Sequence, residues 1–452
     1  MTAWERDREP MQAVDAAWLR MEHPTNLMVI TGVLTFDGSL DFRRLKELLE
    51  DRLLVHDRFR QRVAEPPFPG ARPAWVEDDH FALRSHLHRV GLPAPGDRKE
   101  LQELVSDLMS TPLDRSRPLW QMHLVDGYRG GTALVVRIHH AVADGIALVR
   151  LLFSLTDEEP DIPSVGVRPA GPGAPVAARG AAGLVGQGME ALLNPARLVE
   201  LARRGVTGVD VVRRLLALPP DPRTVFHGPL GVPKRAAWSE PLPLEEIKAA
   251  GKRHGATIND TMLAAVSGAL RGYLVARGEP VDGISLRAVV PVNLRPVDGP
   301  LEMGNRFGLV FLDLPVGVPG PMARLAEVHR RMGELKASPQ AGVVFGVLGG
   351  MGLAGREIER IGVSIFASKA TMVLTNVPGP RKRIYLAGAP VRSILFWVPQ
   401  SGRLALGISI FSYAGTIRVG IAVDAGLVPD PETIVAYLHR EVERLLEGRE
   451  ED

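Results

Sequence analysis

The chain has 452 residues, 45% of them apolar and 23% charged, with a formal charge of only +2. That length exceeds one ordinary core and fits two domains, and the balance belongs to a globular protein rather than a disordered or membrane-spanning one. The near-zero charge and the lack of an RNP-like, zinc-finger or helix-turn-helix pattern argue against a nucleic-acid partner, while the absence of cysteine removes disulfides, thiolate metal sites and a thiol nucleophile and agrees with a reducing cytoplasm.

The opening residues 1–9 are charged and lack an apolar core, so they do not read as a secretory signal. Residues 27–36 read as a strand closed by the turn Asp37-Gly38. Residues 41–54 follow with apolar positions 42, 45, 48, 49 and 53, a helical stripe. Strand-like runs recur near 81–90 and 121–127. The apolar run 132–138 then ends in His139-His140-Ala141-Val142-Ala143-Asp144-Gly145, and a helical pattern occupies 146–155. This is a strand, a tight loop and a helix, and residues 1–156 are read as the first domain. From Pro160 to Gly180 the chain is dense in Pro, Gly and Ala and reads as a linker. Residues 181–218 carry Leu and Val at helical spacing with Arg197, Arg203, Arg204, Arg213 and Arg214. They form either a bridging helix with a solvated basic face or an amphipathic surface that lies on anionic lipid. Residues 157–221 thus separate the first domain from a second, 222–452.

In that second part, 259–274 carries a buried helical stripe that Asn259 or Asp260 could cap. Strands are expected at 284–292, 306–314, 371–376, 391–398, 403–412 and 416–424. Helices are expected at 321–336 and 431–446, the latter ended by Gly448. The longest uncharged apolar stretch, 341–355, is about fifteen residues and rich in glycine, against the ~20 that span a bilayer, so no transmembrane helix is expected.

A histidine at a strand end can be aimed by a rigid element, and imidazole takes and returns protons near neutrality. The stretch His139–Gly145 resembles the HHxxxDG motif of the CoA-dependent acyltransferase superfamily, which includes chloramphenicol acetyltransferases and peptide-synthetase condensation domains. Further stretches occur in the order of one branch: Asp15-Ala-Ala-Trp18 with Glu22, Pro112–Trp120, Thr257-Ile-Asn-Asp260, Pro291-Val-Asn-Leu-Arg295, Gly304-Asn305 and Thr375-Asn-Val-Pro-Gly-Pro380. Together they resemble the bacterial wax ester synthase/diacylglycerol acyltransferase family over nearly the whole chain, apart from about 157–220. The resemblance implies an α/β (mixed α+β) fold of two chloramphenicol-acetyltransferase-like domains, each a mixed sheet flanked by helices, joined by the long linker.

It also implies the chemistry. An alcohol is a poor nucleophile at pH 7, so a base must take its proton as it attacks an acyl thioester, worth on the order of 10²–10⁴ in rate. By the motif match that base is His140, with His139 as the neighbour that fixes the loop. Asp144 is expected to hold the loop through an arginine, Arg295 or Arg287, rather than to orient the imidazole. Gly145 is expected to permit a backbone geometry or close approach that a Cβ would block. With no cysteine and no Gly-x-Ser-x-Gly elbow, direct transfer in a ternary complex is expected. Asn376 is a candidate oxyanion donor or a turn residue. Asn259 and Asp260 are helix cap or site residues. His86-Leu-His88 lacks a third ligand, and no Walker or dinucleotide pattern occurs, so neither metal nor cofactor is expected beyond acyl-CoA as co-substrate. The expected substrates are a fatty acyl-CoA and diacylglycerol or a long-chain alcohol, met by a cytoplasmic protein attached peripherally to a membrane or lipid droplet. The rival readings are a condensation-domain-like enzyme using a carrier-protein thioester, and a non-catalytic lipid-binding or droplet protein.

Overall fold

A computed structural model describes residues 8–66, 72–160, 218–293, 303–305, 307–336, 369–400, 402 and 404–448. The linker from 161, the basic segment up to 217, Arg295 and the glycine-rich run 341–355 lie outside the described residues.

The first half runs β1 (Glu9–Pro10), α1 (Ala13–Met21), β2 (Val29–Phe36), α2 (Phe42–Leu48), β3 (Gln61–Ala64), β4 (Ala74–Glu77), β5 (Leu87–Gly91), α3 (Arg98–Ser110), β6 (Trp120–Tyr128), β7 (Gly131–His139) and α4 (Gly145–Leu155). The second half runs β8 (Lys234–Trp238), β9 (Leu242–Pro243), α5 (Leu244–Arg253), α6 (Ile258–Ala276), β10 (Leu286–Asn293), β11 (Phe307–Leu314), α7 (Pro321–Lys336), β12 (Met372–Pro378), β13 (Tyr385–Leu386), β14 (Ala389–Trp397), β15 (Leu406–Tyr413), β16 (Thr416–Asp424) and α8 (Pro431–Glu447). Helix α8 stops at Gly448, whose φ of 70° supplies the left-handed cap.

Two mixed sheets organise these elements. One has the order β13-β14-β2-β7-β6-β5, the other β11-β10-β12-β15-β16-β8 with β9 also on β16; β1, β4 and β3 form a small third sheet. Strands β2 and β7 read as near-continuous apolar runs because both of their faces are covered. On one face α1, α2 and α4 pack through Trp18, Leu45, Leu48, Ala147 and Leu151. On the other, Val33, Val125, Val135 and Trp397 of the first sheet meet α3 and the edge of the second sheet at Trp238. The second sheet is covered by α5 to α8, with α6 at the centre and buried almost all round.

Strand pairing crosses the division at 222. Strand β14 leaves its own half and pairs antiparallel with β2, Phe396 opposite Gly32 and Trp397 opposite Thr31. Residues 222–452 are therefore not a self-contained unit: the first half's sheet has six strands only because the second half supplies two of them.

Candidate active site

Strand β7 is held between β2 and β6, and its last ladder contacts deliver the histidine pair to a fixed place. His139 N donates to Leu119 O at 2.9 Å and His140 N to Met28 O at 2.7 Å. The chain then turns tightly, Val142 N to His139 O at 2.9 Å. Helix α4 starts at once because the Asp144 carboxylate accepts from Ala147 N at 2.9 Å, meeting one of the unpaired N–H groups of its first turn. The second half closes the loop from outside: Gly304 N donates to Val142 O at 3.0 Å, and Asp144 N donates to Gly304 O at 3.3 Å.

Helix α1 supplies the rest of the scaffold. Asp15, Trp18 and Glu22 are spaced three and four residues apart, so they share one helical face, and each touches the histidine loop or its tether. The Trp18 ring stacks on the His140 imidazole, with centroids 4.1 Å apart and planes 19° from parallel. His139 Nδ1 accepts from Ala141 N at 3.0 Å, which leaves the proton on Nε2, 3.1 Å from Glu22 Oε2. Asp15 Oδ1 accepts from Asn305 N at 3.0 Å and from Asn305 Nδ2 at 2.8 Å, and the same amide group donates to His140 O at 2.8 Å. Asn305 thus couples α1 to the histidine loop across the two halves.

Burial sets the electrostatics. His140 is pushed down to about 4, by desolvation above all and by neighbouring His139, against the opposing pull of its own carbonyl and Asn305. It is a neutral imidazole at pH 7, the state a general base requires. Asp15 is pushed up to about 6 by burial, in spite of the Asn305 hydrogen bonds. Burial also acts to raise Glu22, but hydrogen bonds and charge from His139 and Arg115 outweigh it and hold that carboxyl at about 2.

His140 opens onto a cleft of about 740 Å³ lined from both halves, including Trp18, Val289, Val292, Thr375, Asn376 and Phe396. A second space of about 860 Å³ lies between α4 and the first sheet, and every side chain lining it is apolar, among them Ile30, Leu34, Leu49, Met122, Leu148 and Phe411. Gly145 and Phe396 line both spaces.

Several sequence expectations are corrected here. A Cβ built on Gly145 meets nothing within 4 Å, and its φ is not positive, so neither close approach nor a special backbone requires glycine. Its place is where the linings of the cleft and the apolar space meet. Arg287 is not the arginine of Asp144: its guanidinium donates to Asp313 Oδ1 at 2.7 Å and to the Pro219 and Lys369 carbonyls at 3.0 and 2.9 Å. The cap of α6 is Thr257, with Asp260 as its capping-box partner: Thr257 N donates to Asp260 Oδ2 at 3.0 Å, and Asp260 N to Thr257 Oγ1 at 3.2 Å. Asn259 instead accepts from Asn376 Nδ2 at 2.6 Å, which ties α6 to the cleft wall. His86 belongs to packing, its ring stacked on Trp120 and its Nδ1 2.8 Å from Trp120 O. Trp18, Glu22, Asp15 and Asn305 carried no role in the sequence reading, although the three-and-four spacing on α1 was a readable signal for three of them.

The two-sheet fold with this loop at its centre is that of acyl-transferring and condensing domains. The first condensation domain of the calcium-dependent antibiotic synthetase superposes with a TM-score of 0.60 over 97% of this chain and 96% of that chain, at 18% identity, a likeness of fold alone. The particular family follows from closer matches. Residues 11–262 match the wax ester synthase/diacylglycerol acyltransferase catalytic domain, and residues 303–446 match the WS/DGAT C-terminal domain. A Mycobacterium tuberculosis H37Rv protein named "putative diacylglycerol O-acyltransferase" is 33% identical over 444 residues, 93% of this chain and 87% of the relative. A second protein of that strain, named "probable diacylglycerol O-acyltransferase", is 29% identical over 448 residues, 96% of this chain and 95% of the relative. The wax ester synthase/diacylglycerol acyltransferase from Marinobacter aquaeolei VT8 superposes with a TM-score of 0.70 at 25% identity, over 97% of this chain and 99% of that one. The chain belongs to the wax ester synthase/diacylglycerol acyltransferase family and is an acyltransferase.

Proposed function

We propose that the protein moves a long-chain fatty acyl group from CoA to the hydroxyl of diacylglycerol, with a long-chain alcohol as second acceptor, by direct transfer in a ternary complex. The observation that carries this reading is a buried, neutral His140 in a cleft between the halves that shares Gly145 and Phe396 of its lining with a wholly apolar space. The acyl chain occupies that apolar space, and its thioester carbonyl lies in the cleft. His140 takes the hydroxyl proton as the alcohol oxygen adds to the carbonyl carbon. When the C–S bond breaks, the same imidazole returns the proton to the CoA sulfur. The products are the ester and free CoA, and the balance requires no cofactor.

His139 orients the loop through Glu22 and Ala141, and Asp144 holds it by starting α4. The choice of diacylglycerol as first acceptor rests on the names of the mycobacterial relatives, and the alcohol on that of the Marinobacter enzyme. Both acceptors partition into bilayers, so the protein meets them by peripheral contact with a membrane or lipid droplet. Among the described residues no helix is long and apolar enough to cross a membrane. Co-sedimentation with liposomes tests that attachment, and protein that stays wholly in the supernatant refutes it.

The decisive experiment is CoA thiol release from palmitoyl-CoA with dioleoylglycerol or hexadecanol, in wild type and His140→Ala. Acceptor-dependent release that disappears in a folded His140→Ala is expected. Release only from a carrier-protein thioester would move the assignment to a condensation-type enzyme.

A further inference from the structure

We infer that the hydroxyl of Thr375 donates the hydrogen bond that stabilises the oxyanion formed when the acceptor adds to the acyl thioester. This rests on the acyl-transfer reading above and names the donor that reading lacks.

Strand β12 lies between β10 and β15 in the second sheet, parallel to both. Residues two apart on a strand share a face, and Val373, Thr375 and Val377 all line the cleft that holds His140. Leu374, on the opposite face, packs into the core under α6. The two same-face neighbours of Thr375 are valines, and a third valine, nearly the same shape as threonine, would serve the strand equally well. What threonine adds is a hydroxyl. Thr375 is 3% exposed, and its Oγ1 has no hydrogen-bond partner among the described residues.

Several other buried hydroxyls among the described residues are engaged. Thr35 bonds Ser393, Thr371 bonds Asp221, Ser267 donates to Leu263 O and Ser409 donates to Phe396 O. A buried hydroxyl left unmade is a cost to folding, and such exceptions in native structures call for a cause. Here the exception is the one hydroxyl among the described residues lining the cleft. Asn376 has one of its two Nδ2 protons held by Asn259 Oδ1 at 2.6 Å, which ties its amide to α6.

In the transfer step the alcohol oxygen bonds to the thioester carbon, and the carbonyl π pair moves onto oxygen. The alcohol proton passes to His140, while the Thr375 proton stays on its own oxygen and is shared with the oxyanion. Collapse restores the carbonyl, breaks the C–S bond and sends the proton from His140 to sulfur. Donors placed where negative charge develops act on the transition state rather than on binding.

The test compares wild type, Thr375→Val, Thr375→Ser and His140→Ala in steady-state thiol release with palmitoyl-CoA and dioleoylglycerol, beside thermal melts. Thr375→Val is expected to lower kcat by on the order of 10²–10³, the range for losing one oxyanion donor, with KM for palmitoyl-CoA little changed. Its melting temperature should hold or rise, because an unmet buried donor has been removed. Thr375→Ser, which keeps the hydroxyl, should recover most of the loss. An undiminished kcat in Thr375→Val overturns the inference, and so does a kcat loss that tracks a loss of melting temperature or is not rescued by serine. Wild-type release that needs His140 but ignores Thr375→Val overturns this inference alone. Wild type with no acceptor-dependent release removes the acyl-transfer reading and this donor together.

Discussion

Burial keeps the His140 imidazole neutral at pH 7, as the proposed role of general base requires, and it has a second consequence at low pH. His140 and His123 are both pushed from 6.5 down to about 4, chiefly by desolvation. Below pH 6.5 the unfolded chain binds protons that the folded one refuses, so stability is lost as pH falls from 6.5 towards 4, by up to about 3 kcal/mol for each histidine. Asp15 works in the opposite sense: raised from 3.8 to about 6, it penalises the folded state above pH 4 and relieves it as pH falls through 6. Two histidines against one aspartate leave a net loss, and the urea midpoint should drop markedly between pH 7 and pH 4.5. A midpoint flat over that interval would contradict the burial of these imidazoles. Gly145 yields a prediction of its own. Valine there meets no steric barrier in the backbone but projects into the boundary between cleft and apolar space. Gly145→Val should fold with near-normal stability and lose turnover steeply with palmitoyl-CoA while keeping more of it with butyryl-CoA. Equal losses with both donors would dissociate Gly145 from the path of the chain. At this scale the motif residues were legible in the sequence, since seven adjacent residues carry the pattern. Thr375 was not, because its distinction is an unmade hydrogen bond, a property of surroundings rather than of order along the chain.

Among the elements, α1 shows how a local pattern becomes a site. Its face of Asp15, Trp18 and Glu22 reaches Asn305, His140 and His139 in turn. Removing the Glu22 carboxylate takes away the acceptor of Met28 N and the anion 3.1 Å from Nε2 of His139, a residue 1% exposed. Glu22→Ala should therefore cost about 1–3 kcal/mol of stability, the desolvation penalty of an unmet buried donor, and lower kcat more than it raises KM. Chemical denaturation and steady-state kinetics check the two halves of that statement, and a stability change near zero would show that His139 is held by Ala141 alone. Amphipathic elements with strong periodicity, such as α7 and α8, were readable because one face of each meets a core, and α6 because its long apolar run is buried almost all round. Helix α3 carries apolar residues at 101, 104, 105, 108 and 109, a stripe as clear as theirs, yet it follows the turn-rich stretch Pro93-Ala-Pro-Gly and stood unassigned. The pairing of β13 and β14 with the first half had no local signal at all. Their alternation announces a strand and is silent about which sheet receives it.

That pairing decides what the whole molecule can be. Strand β14 buries Val391, Ile394 and Leu395, each no more than 4% exposed, against the first sheet and its helices. Three such aliphatic side chains contribute roughly 5–9 kcal/mol by area burial, comparable with the ~5–15 kcal/mol that separates a folded domain from its unfolded chain. Without β14, strand β2 would present an open row of backbone donors and acceptors beside an exposed apolar surface. The Gly304 and Asn305 contacts that close the histidine loop would vanish as well. A fragment of residues 1–230 should thus fail to form a soluble, cooperatively melting domain, although it contains the complete HHxxxDG motif. Co-expression with residues 231–452 should restore a complex that melts as one unit and releases CoA. A monomeric 1–230 fragment with a sharp thermal transition would refute this dependence. The motif lies in one half, but the apolar space beside it is lined from both, Phe396 and Phe411 among the second half's residues, so the cleft between the halves is also the seam at which the first half is completed.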